Sequence, residues 1–187
     1  MTVAVGHYLL DKSASKFTVR AFATGMLSSL GHSPTIAIRD FSGEADFDPA
    51  APEQASLKIE IRADSLQVTD DIKSKDRAEM ESTMNQKVLE TAKYPSISYE
   101  GKATIVSQLS EGRYQVKMNG SLSLHGTTGN EPLALQVILM GDMLRASGEF
   151  TLLQSDYGIQ RISVAGGTLK LKDELKFNFD IVARKQV

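Results

Sequence analysis

Three histidines and no cysteine set the chemical inventory of this chain. His7, His32 and His125 could together hold a zinc ion, since imidazole nitrogen is a standard zinc ligand. Their spacing argues against it, because no HxH or HExxH pattern occurs and His7 lies in a terminal stretch. His32 stands in Leu30-Gly31-His32-Ser33-Pro34, a break between apolar segments. A histidine beside a barrel mouth can hydrogen-bond a quinone carbonyl or a phosphate; a turn-stabilising histidine is the equal alternative. A hydrolase would need His32 or His125 within reach of a carboxylate inside a cleft. Ser155-Asp156-Tyr157-Gly158 sets a hydroxyl beside an acid, but no GxSxG elbow surrounds it. It reads as a turn that ends a strand, with Tyr157 facing a cavity. Asp76-Arg77 could grip a polar head group, although an exposed charged helix face is the commoner use of such a pair. Gly166-Gly167 lacks the spacing of a phosphate loop. Without cysteine, disulfides, thiolate catalysis and Cys-based metal sites are excluded. No residue pattern calls for a cofactor.

The elements that position these residues are mostly strands. Leu175, Phe177, Phe179 and Ile181 alternate with Lys176, Asn178 and Asp180. Successive strand side chains point to opposite faces, so one face is apolar and the other polar. Leu57, Ile59 and Ile61 repeat the pattern. So do Phe17, Val19 and Ala21; Tyr114, Val116 and Met118, continued by Leu122 and Leu124; and Leu144, Ala146 and Phe150. Turn signals such as Ser42-Gly43, Glu111-Gly112 and Gly141-Asp142 separate the runs. Roughly eight or more short strands predict a barrel or sandwich. The 187 residues read as one domain, 1–187, with no repeat or linker.

Residues 70–90 break the pattern. They contain no Gly or Pro, and Ile72, Met80, Met84 and Val88 fall at multiples of four on one helical stripe. Thr69 or Asp70 is the expected cap. The fold class is therefore all-β with one helix of several turns that covers or plugs an end. Inside a closed wall of about eight strands lies either packed side chains or one small ligand. Aromatic residues are only 6%, tryptophan is absent, and the inward positions Ala21, Ala23, Ala146 and Gly148 are small. That favours a cavity for a long apolar ligand. A solid barrel serving as an interaction module is the competing expectation.

Charge narrows the partners. Twenty-one Lys and Arg face 23 Asp and Glu, a formal net charge of -2, which leaves no basic excess for nucleic acid. No run of about 18 apolar residues is present to span a membrane. The opening stretch lacks a basic start and a long apolar core, which predicts a cytoplasmic protein, or a periplasmic one if the chain was trimmed. Homodimerisation is left open.

Several segments together resemble the YceI-like family of lipocalin-like, polyisoprenoid-binding proteins. They are Tyr8-Leu9-Leu10-Asp11, Ser15 to Val19, Asp40-Phe41-Ser42-Gly43, Ser56 to Leu66, Val88 to Ile97, Asn119 to Thr128, and Ser155 to Ile159. The most specific is Thr91-Ala92-Lys93-Tyr94-Pro95. The resemblance implies an extended antiparallel lipocalin-like β-barrel with a helical segment near one end. It also implies a carrier or store, not an enzyme, for a polyisoprenoid, a quinone or a fatty-acid-like lipid. Inward Phe17, Val19, Ile59, Leu124, Phe150, Phe177 and Phe179 would take the tail, aided by Met80, Met84 and Tyr157. His32 and Arg77 would choose the head group. The chain departs from the family at Lys75-Asp76-Arg77, where acid and base are reversed and the segment is longer by about one helical turn. That marks a divergent subgroup.

Overall fold

The computed structural model describes residues 6–24, 33–164 and 169–186. His32 lies outside them. Thirteen strands form one antiparallel sheet: β1 (Gly6–Leu10), β2 (Lys16–Thr24), β3 (Thr35–Ile38), β4 (Phe41–Phe47), β5 (Ser56–Arg62), β6 (Leu66–Val68), β7 (Ser96–Ser110), β8 (Arg113–Leu124), β9 (Thr127–Asn130), β10 (Leu133–Met140), β11 (Met143–Leu153), β12 (Ser163–Val164) and β13 (Leu169–Lys185). Eight of them close a ring in the order β1-β4-β5-β7-β8-β10-β11-β13. The 17-residue β13 returns to β1 through Tyr8↔Lys185 and Leu10↔Ala183. Closure removes the exposed sheet edge along the ring.

The alternation decides which face looks inward. In β8, Tyr114, Val116, Met118, Leu122 and Leu124 are buried, and in β10 so are Leu133, Leu135 and Val137. At one end the interior is solid. Phe47 meets Tyr114 edge-on with centroids 5.0 Å apart, beside buried Tyr8, Val116 and Val137.

At the other end the wall continues past the ring. β2 replaces β1 beside β13, with Phe17↔Phe179 and Ala21↔Leu175, and β3 and β6 pair outward from it. Each pair of successive strands is joined across a short break: residues 11–15, 39–40 and 63–65. A break frees backbone groups from the ladder, and polar side chains must take them. The buried Ser65 hydroxyl donates to the Arg62 carbonyl at 2.7 Å and accepts the Asp40 amide at 3.1 Å. Ser15 Oγ accepts the Val182 amide at 2.9 Å. The Asp11 carboxylate accepts the Ser13 amide at 3.1 Å and Arg184 Nε at 2.8 Å. Asp40 pairs with both Lys12 and Arg62. These residues form a polar seam where three strands bend together.

The helix is shorter than the 70–90 expected. The α-helix α1 spans Ser74–Thr83 and runs into a wider π-type turn at Met84–Val88. Neither Thr69 nor Asp70 caps it; the cap position is Lys73, without a side-chain bond. Asp70 instead accepts the Thr35 amide at 2.8 Å, tying the approach to β3. No helix among the described residues is long and apolar enough to cross a membrane.

The seam predicts acid sensitivity. The hydroxyl of Ser13 and the guanidinium of Arg184 hold the Asp11 carboxyl down at about 2, against an ordinary 3.8. Lys12 lowers Asp40, and Arg145 lowers Asp180 across β11 and β13. A depressed carboxyl stabilises the fold above its unfolded value and loses that effect as pH falls through its folded one. The thermal midpoint should therefore fall between pH 4 and about 2, and Asp11→Asn should flatten that decline. A midpoint independent of pH over this window would show the seam to be energetically idle.

Candidate functional site

The unfilled end of the barrel encloses a cavity of about 550 Å³. Its floor and walls are apolar. Phe17, Val19, Ile59, Leu124, Phe150, Phe177 and Phe179 all line it, as the alternation predicted. Phe150 and Phe177 stack face to face, centroids 4.5 Å apart and planes 9° apart. Phe17 sits edge-on to Phe179 at 6.2 Å. The small side chains Ala21, Ala23, Ala45, Ala146 and Ala183 also face the space, which is why it stays open. The solid-barrel expectation thus fails at this end and holds only at the Phe47–Tyr114 end.

The helix forms the cover. Met80, Met84 and Val88 line the cavity from one stripe, with Asp76, Glu79 and Thr83 on the same side. Ile72, placed on that stripe by sequence, precedes the helix and does not line the cavity. No residue of α1 is fully buried, whereas Met84 and Leu89 beyond it are. The cover is therefore anchored at its C-terminal side and lightly held along α1. Glu81 accepts the Val68 amide at 2.9 Å and so attaches α1 to strand β6.

The firm anchor is His125. The β8–β9 hairpin turns through His125 and Gly126, with φ of 52° and 75°. A two-residue turn with both angles positive is the type that matches strand twist, and it usually carries Asn-Gly. Here the ring supplies a reason for histidine. His125 Nε2 meets Glu90 Oε2 at 2.7 Å, Nδ1 lies 3.3 Å from the Tyr157 carbonyl, and the ring packs on Tyr94 at 4.5 Å. Glu90 itself has φ of 47°, a strained value for a residue with a side chain. Histidine and glutamate bind the end of the helical segment to the barrel. The two-residue His125-Gly126 step between alternating runs was the legible signal.

Two predicted site residues fall elsewhere. Tyr157 is buried against Gly129 and does not itself line the cavity. Its hydroxyl reaches Glu131 at 3.4 Å, and burial together with Glu131 pushes the phenol up to about 12. Arg77 points to the outer side of α1, where its Nη2 donates to the Asp70 carbonyl at 2.8 Å. It borders an outer groove with Arg39, Gln67 and Glu81. Helical phase explains the miss: Asp76 and Met80 are one turn apart and face in, which turns Arg77 away. Sequence reading did not single out Glu131, Glu79 or Lys170, which do line the cavity.

The hydrolase requirement is met only in part. His125 does reach an acid, but both its ring nitrogens are engaged and it does not line the cavity. Elsewhere His7 Nδ1 and Ser56 Oγ both bond Asp46, at 2.8 and 3.1 Å. The acid stands between them, so the imidazole does not meet the serine as it does in a Ser-His-Asp triad. No cluster of three metal-binding side chains occurs among the described residues.

The family model described as a YceI-like domain matches residues 8–183. A UPF0312 protein of Pseudomonas savastanoi pv. phaseolicola is 28% identical, over 95% of this chain and 87% of its own. Among solved structures, a polyisoprenoid binding domain from Saccharophagus degradans, implicated in plant cell wall breakdown, superposes with a TM-score of 0.68. It is 15% identical and covers 98% of this chain and 100% of its own. Burkholderia cenocepacia BcnA also gives 0.68, at 17% identity over 92% of this chain and 98% of its own.

Removing the ring with His125→Ala deletes a charged hydrogen bond worth about 1.5–3 kcal/mol. Amides of residues 84–94 should then exchange with solvent about tenfold faster or more, while those of β10 and β11 keep their rates. Unchanged exchange over 84–94 would show that His125 does not hold the cover.

Proposed function

The chain belongs to the YceI-like domain family, and we propose that it binds a long apolar or amphiphilic chain in its barrel. A single observation carries this reading: a continuous apolar cavity whose only charged borders are Asp76, Glu79, Glu131 and Lys170 among the described residues. Burying a chain there removes methylenes from water at about 0.8 kcal/mol each, so several isoprene units bind without a charged contact. A polyisoprenoid, a quinone tail or a fatty-acid-like lipid all fit that description. The polyisoprenoid binding domain among the structural neighbours supports the first. The role is storage or transport, since what the site offers a chain is burial. The lightly held α1 is the natural route of entry.

Organic extraction of freshly purified protein, followed by mass spectrometry, should yield close to one lipid per chain. Ala146→Phe projects a ring into the cavity from β11 and should lower the bound lipid about tenfold or more, by displacing several methylenes at about 0.8 kcal/mol each. Circular dichroism would confirm that the variant keeps its strands. A wild-type protein with no extractable lipid and no uptake of added prenyl chains would contradict the proposal.

A further inference from the structure

The cavity's few charged groups are unevenly matched. Three carboxyls line it against one ammonium, that of Lys170, which stands exposed on β13. Asp76 and Glu79 are three residues apart, so both lie on the cavity side of the helix near its exposed start.

Glu131 differs from these rim acids. It stands just before β10, half-buried, on the wall formed with Tyr99, Leu122 and Leu133. Its carbonyl is taken by the Tyr99 hydroxyl at 3.2 Å, which fixes the backbone. Its carboxyl receives one long bond, from Tyr157 at 3.4 Å. No Lys, Arg or His pairs with it among the described residues. Burial first, with the nearby Asp156 adding, raises its proton affinity. An ionised carboxyl at an apolar wall is stabilised by any donor that arrives and destabilised by a second negative charge.

We propose that the cavity selects its ligand's head group, accepting a hydrogen-bond donor such as an alcohol or ammonium and rejecting a carboxylate or phosphate on the same chain. Glu131 is the residue that decides. It accepts the donor's proton in a hydrogen bond while the tail lies among the phenylalanines. Asp76 and Glu79 on the rim add a negative field that repels anions during entry. This inference rests on the lipid-binding reading and narrows it.

Farnesylamine, farnesol and farnesoic acid share one tail and differ in the head. Each is titrated against the protein preloaded with the uncharged fluorophore diphenylhexatriene, at pH 8 and low salt. The amine and the alcohol should displace the fluorophore at concentrations about tenfold below those of the acid, a difference of about 1.4 kcal/mol. Glu131→Gln should bring the amine and acid within about twofold to threefold of each other, a gap of about 0.4–0.7 kcal/mol. The double variant Asp76→Asn, Glu79→Gln should chiefly speed the acid's association. If the acid binds as well as the amine, or if Glu131→Gln leaves their ratio unchanged, the head-group inference is overturned. If none of the three binds and diphenylhexatriene itself is not taken up, the lipid-binding reading falls instead.

Discussion

A closed wall of eight strands must put something in its middle. Every other feature of this molecule follows from how that demand is met. Toward the Phe47–Tyr114 end, rings and branched side chains fill the space. Toward the helix, alanines at five inward positions leave it open, and no tryptophan is present to compensate. Packed interiors approach the density of organic crystals, so a void of about 550 Å³ lined by apolar groups is costly to leave unfilled. Ligand binding is the natural return on that cost.

The open end also needs length. The strands reach it only because three neighbours break together and resume, and the polar seam makes those breaks tolerable. Asp11, Ser15 and Ser65 act on backbone groups and Asp40 on the Lys12 and Arg62 side chains, not on the cavity. The cover then closes the gap beyond β6. It is fixed at Glu90 by His125 and more loosely at Glu81 by β6. Rigidity is therefore concentrated where the cover rejoins the wall ahead of β7, and freedom lies along α1.

Much of this was legible in the sequence because alternation is a direct record of sidedness. Phe17, Val19, Ile59, Phe177 and Phe179 were assigned inward by parity alone, and all line the cavity. Met80 and Met84 were found through helical spacing for the same reason. Arg77 and Tyr157 were not placed correctly. Arg77 depends on helical phase relative to a wall that sequence does not position, and Tyr157 belongs to a short turn whose direction follows from packing on Gly129. Glu131 shares the parity of Leu133 and Leu135 but was missed because it is charged and Pro132 separates it from the apolar run of β10. The function of His125 was hidden for a similar reason: its partner Glu90 lies 35 residues away.

If the open end takes an apolar chain, it is a container of fixed size. Calorimetry with a homologous series of straight-chain alcohols measures that size. Each added methylene should strengthen binding by about 0.8 kcal/mol until the chain fills the cavity, and further methylenes should then add little. An affinity that does not change with chain length would contradict that reading.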